Sequence, residues 1–259
     1  MAPTVLQLID LHLTYPGGRG RADVTAIQGV SLQLAQGEML GLVGESGSGK
    51  SSLARCVAGL EAGLRGRITY ADHGEQPAYG RTAELRRWRR GMEMIFQNPA
   101  GSLNPVYRVG QVLREAALRA DPHDKAVHET VIATLARVGL DAGYLDRLPR
   151  QLSGGQQQRV AIARALVSRP RLLICDEIVS ALDVSVQARL LNLLRDLREG
   201  GAFSGLFISH DLAVTAYLCD RIAVMKEGRI VEIAPTEQLL EQPAHEYTRK
   251  LLAAAQPSF

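Results

Sequence analysis

Strands alternating with helices along 259 residues predict an α/β fold built on a largely parallel sheet. Three observations carry that prediction. Short apolar runs at 38–44, 171–177 and 205–210 read as buried strands. A glycine-rich turn at 44–49 joins the first run to a helical pattern. A long helical block at 108–148 interrupts the rhythm and reads as an inserted helical subdomain.

In chain order, residues 4–11 and 25–34 alternate apolar and polar side chains, as half-buried strands do, with a turn-rich stretch between them. EMLGLVG at 38–44 is an apolar strand ending in glycine, and GMEMIFQ at 91–97 is another strand. The helical block 108–148 has breaks at Pro122 and Gly139. A helix opens after Leu152 and runs over 153–168, followed by the strand RLLICDE at 171–177. Val186, Leu190, Leu193, Leu194 and Leu197 are spaced as the apolar face of a helix over 184–198. GLFISH at 205–210 is a buried strand, and RIAVMKEGRIVEI at 221–233 reads as a hairpin around Glu227-Gly228.

Composition narrows the function classes. Hydrophobic residues make up 46% and charged residues 22%, which excludes a mostly disordered or collagenous chain. The net charge of +3 is too small to argue for nucleic-acid binding without a clustered basic face. Only Lys50, Lys125, Lys226 and Lys250 are lysines; the remaining basic residues are arginines. The one dense basic run, Arg86-Arg87-Trp88-Arg89-Arg90, reads as a solvated helix face with Trp88 packed inward. Cys56, Cys175 and Cys219 lie far apart in apolar surroundings, so they are expected reduced and buried. No stretch reaches the ~18 apolar residues of a membrane span, and the N-terminus lacks the order of a signal peptide.

Gly44-Glu45-Ser46-Gly47-Ser48-Gly49-Lys50-Ser51 matches G-x-x-x-x-G-K-[ST], followed by Ser52. A phosphate chain needs several backbone N–H groups converging on it, and glycines let the loop curl that tightly. The following helix presents its positive end, Lys50 neutralises the terminal phosphates, and the Ser51 hydroxyl ligates Mg²⁺. A strand before the loop and a helix after it supply the context this motif requires. Asp176 and Glu177 end the strand RLLIC, where an acidic pair serves a phosphate loop: Asp176 toward Mg²⁺, Glu177 toward the attacking water. Alone, such a pair is more often a solvated strand end. Leu152-Ser153-Gly154-Gly155-Gln156 opens a helix with Ser153 as N-cap and forms a second candidate anion site. One phosphate loop does not need a second grip, but a dimer does.

Together, the phosphate loop, LSGGQ at 152–156 and LLICDE at 172–177 resemble an ATP-binding cassette (ABC) ATPase subunit over essentially the whole chain. The resemblance implies a P-loop NTPase (RecA-like) core, an N-terminal antiparallel β subdomain and an inserted α-helical subdomain. It implies a single cassette: core at about 1–97 and 157–235, helical subdomain at about 98–156, helical tail at 236–259. Tyr15 resembles the aromatic residue that stacks on adenine. Gln97 resembles the glutamine that touches Mg²⁺ and the attacking water and senses the transmembrane partner. Asp183, in Ser180-Ala181-Leu182-Asp183, resembles the aspartate that crosses the dimer interface, and His210 resembles the switch histidine on the γ-phosphate. Each of these single residues has an ordinary structural reading, and only the set outweighs it.

FQNPAGSLNP at 96–105, VSALDVSVQARLLNLL at 179–194 and HEYTRKLLAA at 245–254 look like segments of the peptide/nickel importer branch. Ile178 departs from the proline or alanine common after the acidic pair, a chemically neutral change. No cysteine-rich extension follows, so nickel or metal chelates compete with peptides as the cargo. The resemblance implies ATP with Mg²⁺ and two transmembrane permease subunits. It also implies a second cassette, of a different or the same chain, and indirectly a solute-binding protein. No nucleic acid is implied, and the expected location is the cytoplasmic face of the cell membrane. A soluble ABC ATPase of repair or translation is the competing class. Such proteins usually carry two cassettes or long coiled-coil insertions, and this chain has neither.

Overall fold

The computed structural model describes residues 2–18, 22–80, 82–98, 101, 103–179, 184–201 and 203–255. Two compact units result: Met1–Arg89 with Ser204–Phe259, and Arg90–Phe203. The first unit opens with β1 (Thr4–Tyr15), β2 (Val24–Ala35), β3 (Met39–Val43), α1 (Lys50–Val57), β4 (Arg65–Tyr70) and α2 (Thr82–Trp88). The second holds β5 (Met92–Ile95), α3 (Val109–Ala120), α4 (Val127–Arg137), α5 (Gly154–Val167), β6 (Leu172–Asp176) and α6 (Val184–Glu199). The chain then returns to the first unit with β7 (Ser204–Ile208), α7 (Leu212–Leu218), β8 (Arg221–Lys226) and β9 (Arg229–Pro235). It closes with α8 (Thr236–Glu241) and α9 (Glu246–Ala255).

In the first unit, β2, β1 and β4 pair antiparallel in that order. The alternation of β1 changes phase: Leu6 and Leu8 are buried, then Leu11 and Leu13. A bulge explains the slip. Leu8 pairs with Leu32 but Leu11 with Val30, so β1 carries one extra residue, and Asp10 there has a positive φ of 49°. Ile27 and Val30 in β2 show the matching slip. Both strands are longer than the alternating stretches at 4–11 and 25–34, because the bulges put the alternation out of phase along each strand.

The same unit carries β3 between β7 and β8, parallel to both, with β9 antiparallel on β8. Leu40, Leu42, Leu206, Phe207, Ile208, Ile222 and Val224 are all fully buried. This is the signature of a sheet covered on both faces, and it explains the unbroken apolar runs. The expected hairpin at 221–233 is β8 and β9. The strand β4 and the helix α7 have no counterpart in the sequence reading; both are short and lack a clean period.

In the second unit, β5 and β6 pair parallel, with Met94 opposite Ile174. Helices α3, α4 and α5 pack on one another, and Val112, Leu113, Val131, Leu135 and Val160 on them are buried. The expected breaks hold: α3 stops at Ala120, two residues before Pro122, because the residue preceding a proline disfavours helical geometry. Gly139 lies just past the end of α4. Trp88 packs inward as expected, with 3% exposure and its Nε1 donating to the Gly74 carbonyl at 3.0 Å. The three cysteines are buried and form no disulfide. Among the described residues, no helix is long and apolar enough to cross a membrane.

Candidate nucleotide site

Strand β3 ends at Val43, and residues 44–49 turn the chain into α1. Gly44 is required by contact: a Cβ there would sit 2.1 Å from the Met225 carbonyl oxygen. Gly49, the N-cap of α1, has φ 106°, and a Cβ on it would lie 2.3 Å from the Ala26 carbonyl oxygen. The β8–β9 hairpin also binds the loop directly, with the Gly228 N–H donating to the Ser48 carbonyl at 2.9 Å. Helix α1 opens on glycine with no side-chain cap and no acid in its first turn. That is the electrostatic form of an anion-binding helix start.

Lys50 is buried, with 4% exposure, and its ammonium arches back over the loop. Nζ donates to the carbonyls of Gly44 and Glu45, both at 2.7 Å, and approaches Ser48 Oγ at 3.4 Å. A buried ammonium needs such partners, and they hold it at the loop's mouth. Glu45, Ser46 and Gly47 are exposed, while Ser51 and Ser52 are half-buried in the first turn of α1. Tyr15 is tied to that turn: its hydroxyl donates to Ser52 Oγ at 3.3 Å and accepts from Arg55 Nη2 at 3.5 Å. That bond, with the Glu61 carboxylate 2.6 Å from Arg55 Nε, raises the Arg55 pKa against the effect of burial. His210 follows β7 on an exposed bend, next to Ser209, whose Oγ accepts the Asp211 N–H at 2.9 Å.

The second unit brings three predicted residues together. Asp176 ends β6 and is 7% exposed; Glu177 follows it with φ 49°. A glutamate in the left-handed region stores about 1–3 kcal/mol of strain, a cost that clusters at working sites. Gln97, just past β5, donates from Nε2 to Glu177 Oε2 at 3.1 Å. Cys175, beside Asp176, is inert: burial pushes its thiol up to about 12, and the Asp176 charge adds to the shift.

The LSGGQ segment forms a capping box at the start of α5. Ser153 Oγ accepts the Gln156 N–H at 3.3 Å, and Gln156 Oε1 accepts the Ser153 N–H at 2.9 Å. Gln156 Nε2 donates to the Tyr144 hydroxyl at 3.0 Å. Tyr144 itself lies under the Arg147 guanidinium, 4.2 Å from the ring centre. A side chain at Gly155 would meet Val186 at 3.0 Å, whereas nothing lies within 4 Å of one at Gly154. Asp183 and the rest of 180–183 lie outside the described residues.

Each unit therefore gathers its own share of the expected residues. Tyr15, the loop 44–52 and His210 belong to one; Gln97, Asp176, Glu177 and 153–156 belong to the other. Two participants went unnoticed in the sequence. Tyr144 orients Gln156, and Tyr247 of α9 accepts the Glu45 N–H at 3.1 Å. No spacing rule links Tyr247 to a loop about two hundred residues earlier; only HEYTRKLLAA at 245–254 marked its segment.

A phosphate loop, a strand-end acidic pair and a glycine-rich helix start define an ATP-binding cassette. The ABC transporter family matches residues 27–180, and the chain belongs to that family. It is 42% identical to the dipeptide transport ATP-binding protein of Haemophilus influenzae over 96% of this chain and 77% of that one. It is 43% identical to the oligopeptide transport ATP-binding protein of Escherichia coli over 88% of this chain and 69% of that one. Among solved structures, it superposes with a TM-score of 0.80 on CbiO1 of Clostridium perfringens, part of the ABC transporter complex CbiONQ. The identity there is 27%, over 93% of this chain and 92% of that one. The dimeric ATP-binding cassette MJ0796, in a post-hydrolysis state with ADP and Pi, superposes with a TM-score of 0.77. It is 26% identical, over 89% of this chain and 98% of that one. The chain has the ABC ATPase fold, binds ATP and is an ATP hydrolase of a transporter.

Proposed function

We propose that this chain powers a peptide importer, hydrolysing ATP in a head-to-tail cassette dimer held on two transmembrane permease subunits at the cytoplasmic face. The hydrogen bond between Gln97 and Glu177 carries the hydrolytic reading, because it aims a carboxylate as a general base needs to be aimed. The peptide cargo rests on the relatives, which are named for dipeptide and oligopeptide transport.

Lys50 and the N-terminal end of α1 hold the β- and γ-phosphates, and Tyr15 stacks on adenine. Glu177 takes the proton of the attacking water while Gln97 fixes that water's position, and His210 contacts the γ-phosphate. Ser153 to Gln156 of one subunit, with Asp183, close over the nucleotide of the other. Ser51, Gln97 and Asp176 offer a hydroxyl, an amide oxygen and a carboxylate, the all-oxygen set that suits Mg²⁺. Among the described residues, no group of three His, Cys, Asp or Glu could hold a metal. When bound, Mg²⁺ neutralises charge on the phosphates.

The test is uptake of a labelled dipeptide by membrane vesicles that hold the chain with its co-purifying permeases, with and without ATP inside. ATP-dependent dipeptide uptake, lost in the Glu177→Gln variant, is expected. Nickel uptake in its place, or recovery of the chain with ribosomes or DNA, overturns the cargo or the class.

A further inference from the structure

The C-terminal helix reaches the phosphate loop. At its start, the Glu232 carboxylate of β9 accepts the N–H groups of Ala244 and His245 at 2.8 and 3.0 Å. His245 Nδ1 accepts the Tyr247 N–H at 3.0 Å. These contacts seat Tyr247, 7% exposed, with Lys226 Nζ 5.3 Å from its ring centre. Its hydroxyl accepts the Glu45 N–H at 3.1 Å.

The Glu45 N–H and the Gly44 carbonyl belong to one peptide unit. On one side that unit donates to Tyr247; on the other it accepts Lys50 Nζ at 2.7 Å. A peptide that follows glycine turns over easily, because glycine has no Cβ to restrict the bond before it. Gly44 itself is pressed against the Met225 carbonyl, so the loop has no side chain of its own to stop that rotation. Donation of the N–H also strengthens the carbonyl as an acceptor, because hydrogen bonds in a chain polarise one another. Burial, with the Glu45 carboxylate adding to it, raises the Tyr247 pKa and keeps the phenol neutral.

We infer that Tyr247 is a positioning residue for nucleotide binding, locking the Gly44–Glu45 peptide so that Lys50 is held where it meets the β- and γ-phosphates. The inference rests on Lys50 as the phosphate grip. It adds a control point: whatever moves the C-terminal helix changes ATP affinity without touching the nucleotide.

Tyr247→Phe keeps the ring under Lys226 and removes only the hydroxyl. In the full chain, ATP and inorganic tripolyphosphate are each expected to bind three- to tenfold more weakly, the range of one lost hydrogen bond. The KM for ATP should rise to match, with kcat within about twofold and the melting point of the nucleotide-free chain unmoved. Unchanged affinity overturns the inference. So does a loss confined to ATP, which would place the effect at the base rather than the phosphates. If Tyr247→Phe melts early, 3-fluorotyrosine at 247 decides: its shape is nearly the same and its oxygen a poorer acceptor. Weaker tripolyphosphate binding then supports the relay, and wild-type binding overturns it. Failure of the unaltered chain to bind ATP or tripolyphosphate would overturn the phosphate-grip reading as well.

Discussion

Single residues divide into those held by steric necessity and those held by chemistry. Gly49 is of the first kind, since it combines φ 106° with a clash distance of 2.3 Å to Ala26 O. Gly49→Ala should cost about 1–3 kcal/mol from backbone strain alone. Denaturant unfolding will read this as a lower midpoint, and equilibrium binding as lost ATP affinity. Glu177 is of the second kind. Glu177→Gln keeps the size and the hydrogen-bonding reach toward Gln97 but cannot take a proton. Steady-state ATP hydrolysis should fall by about 10²- to 10⁴-fold with ATP binding retained, the range of a lost general base. Hydrolysis near the wild-type rate would remove Glu177 from that role.

At the scale of elements, the chain entering the tail helix α9 is anchored by one carboxylate. Burial opposes the charge of Glu232, but the neighbouring Thr248 hydroxyl and the N–H groups of Ala244 and His245 outweigh it, so its pKa is lowered. A lowered carboxylate pKa stabilises the fold above the unfolded value of about 4.3, and that contribution is lost as pH falls through the folded value. The protection of amides 246–255 against exchange, taken relative to the intrinsic rate at each pH, should therefore fall in the native chain as pH drops below the unfolded carboxylate range. Glu232→Gln should show low protection there already at pH 7, with little further loss on acidification. The Glu246–Lys250 pair, 2.7 Å apart at i, i+4, is exposed and adds little to this anchoring.

For the whole molecule, the open space around Gly154 separates folding from assembly. An acid at the first turn of a helix is favourable to the helix, and a side chain there meets nothing within 4 Å. Gly154→Asp should therefore fold with an unchanged melting point and bind ATP as a monomer. In a dimer, its charge would face the partner's γ-phosphate. Size-exclusion chromatography with ATP, in the Glu177→Gln background, should show a dimer that the added Gly154→Asp abolishes. A dimer that survives the acid would contradict the head-to-tail arrangement.

How much was legible in the sequence follows from the range of each interaction. The phosphate loop, the acidic pair and LSGGQ were readable because their chemistry lies within eight or fewer consecutive residues. The parallel strands were readable because a sheet buried on both faces writes an unbroken apolar run. The bulge in β1 was written too, as Leu6 and Leu8 followed by Leu11 and Leu13, but a single-phase reading passes over it. Local sequence alone therefore determined the class of fold and marked the loop that we propose grips phosphate. Only the tertiary structure decided what holds that loop in place. Met225 against Gly44, Ala26 against Gly49 and Tyr247 on the Glu45 N–H each join positions far apart in the chain. Such contacts depend on how strands and helices pack, and no local pattern records them.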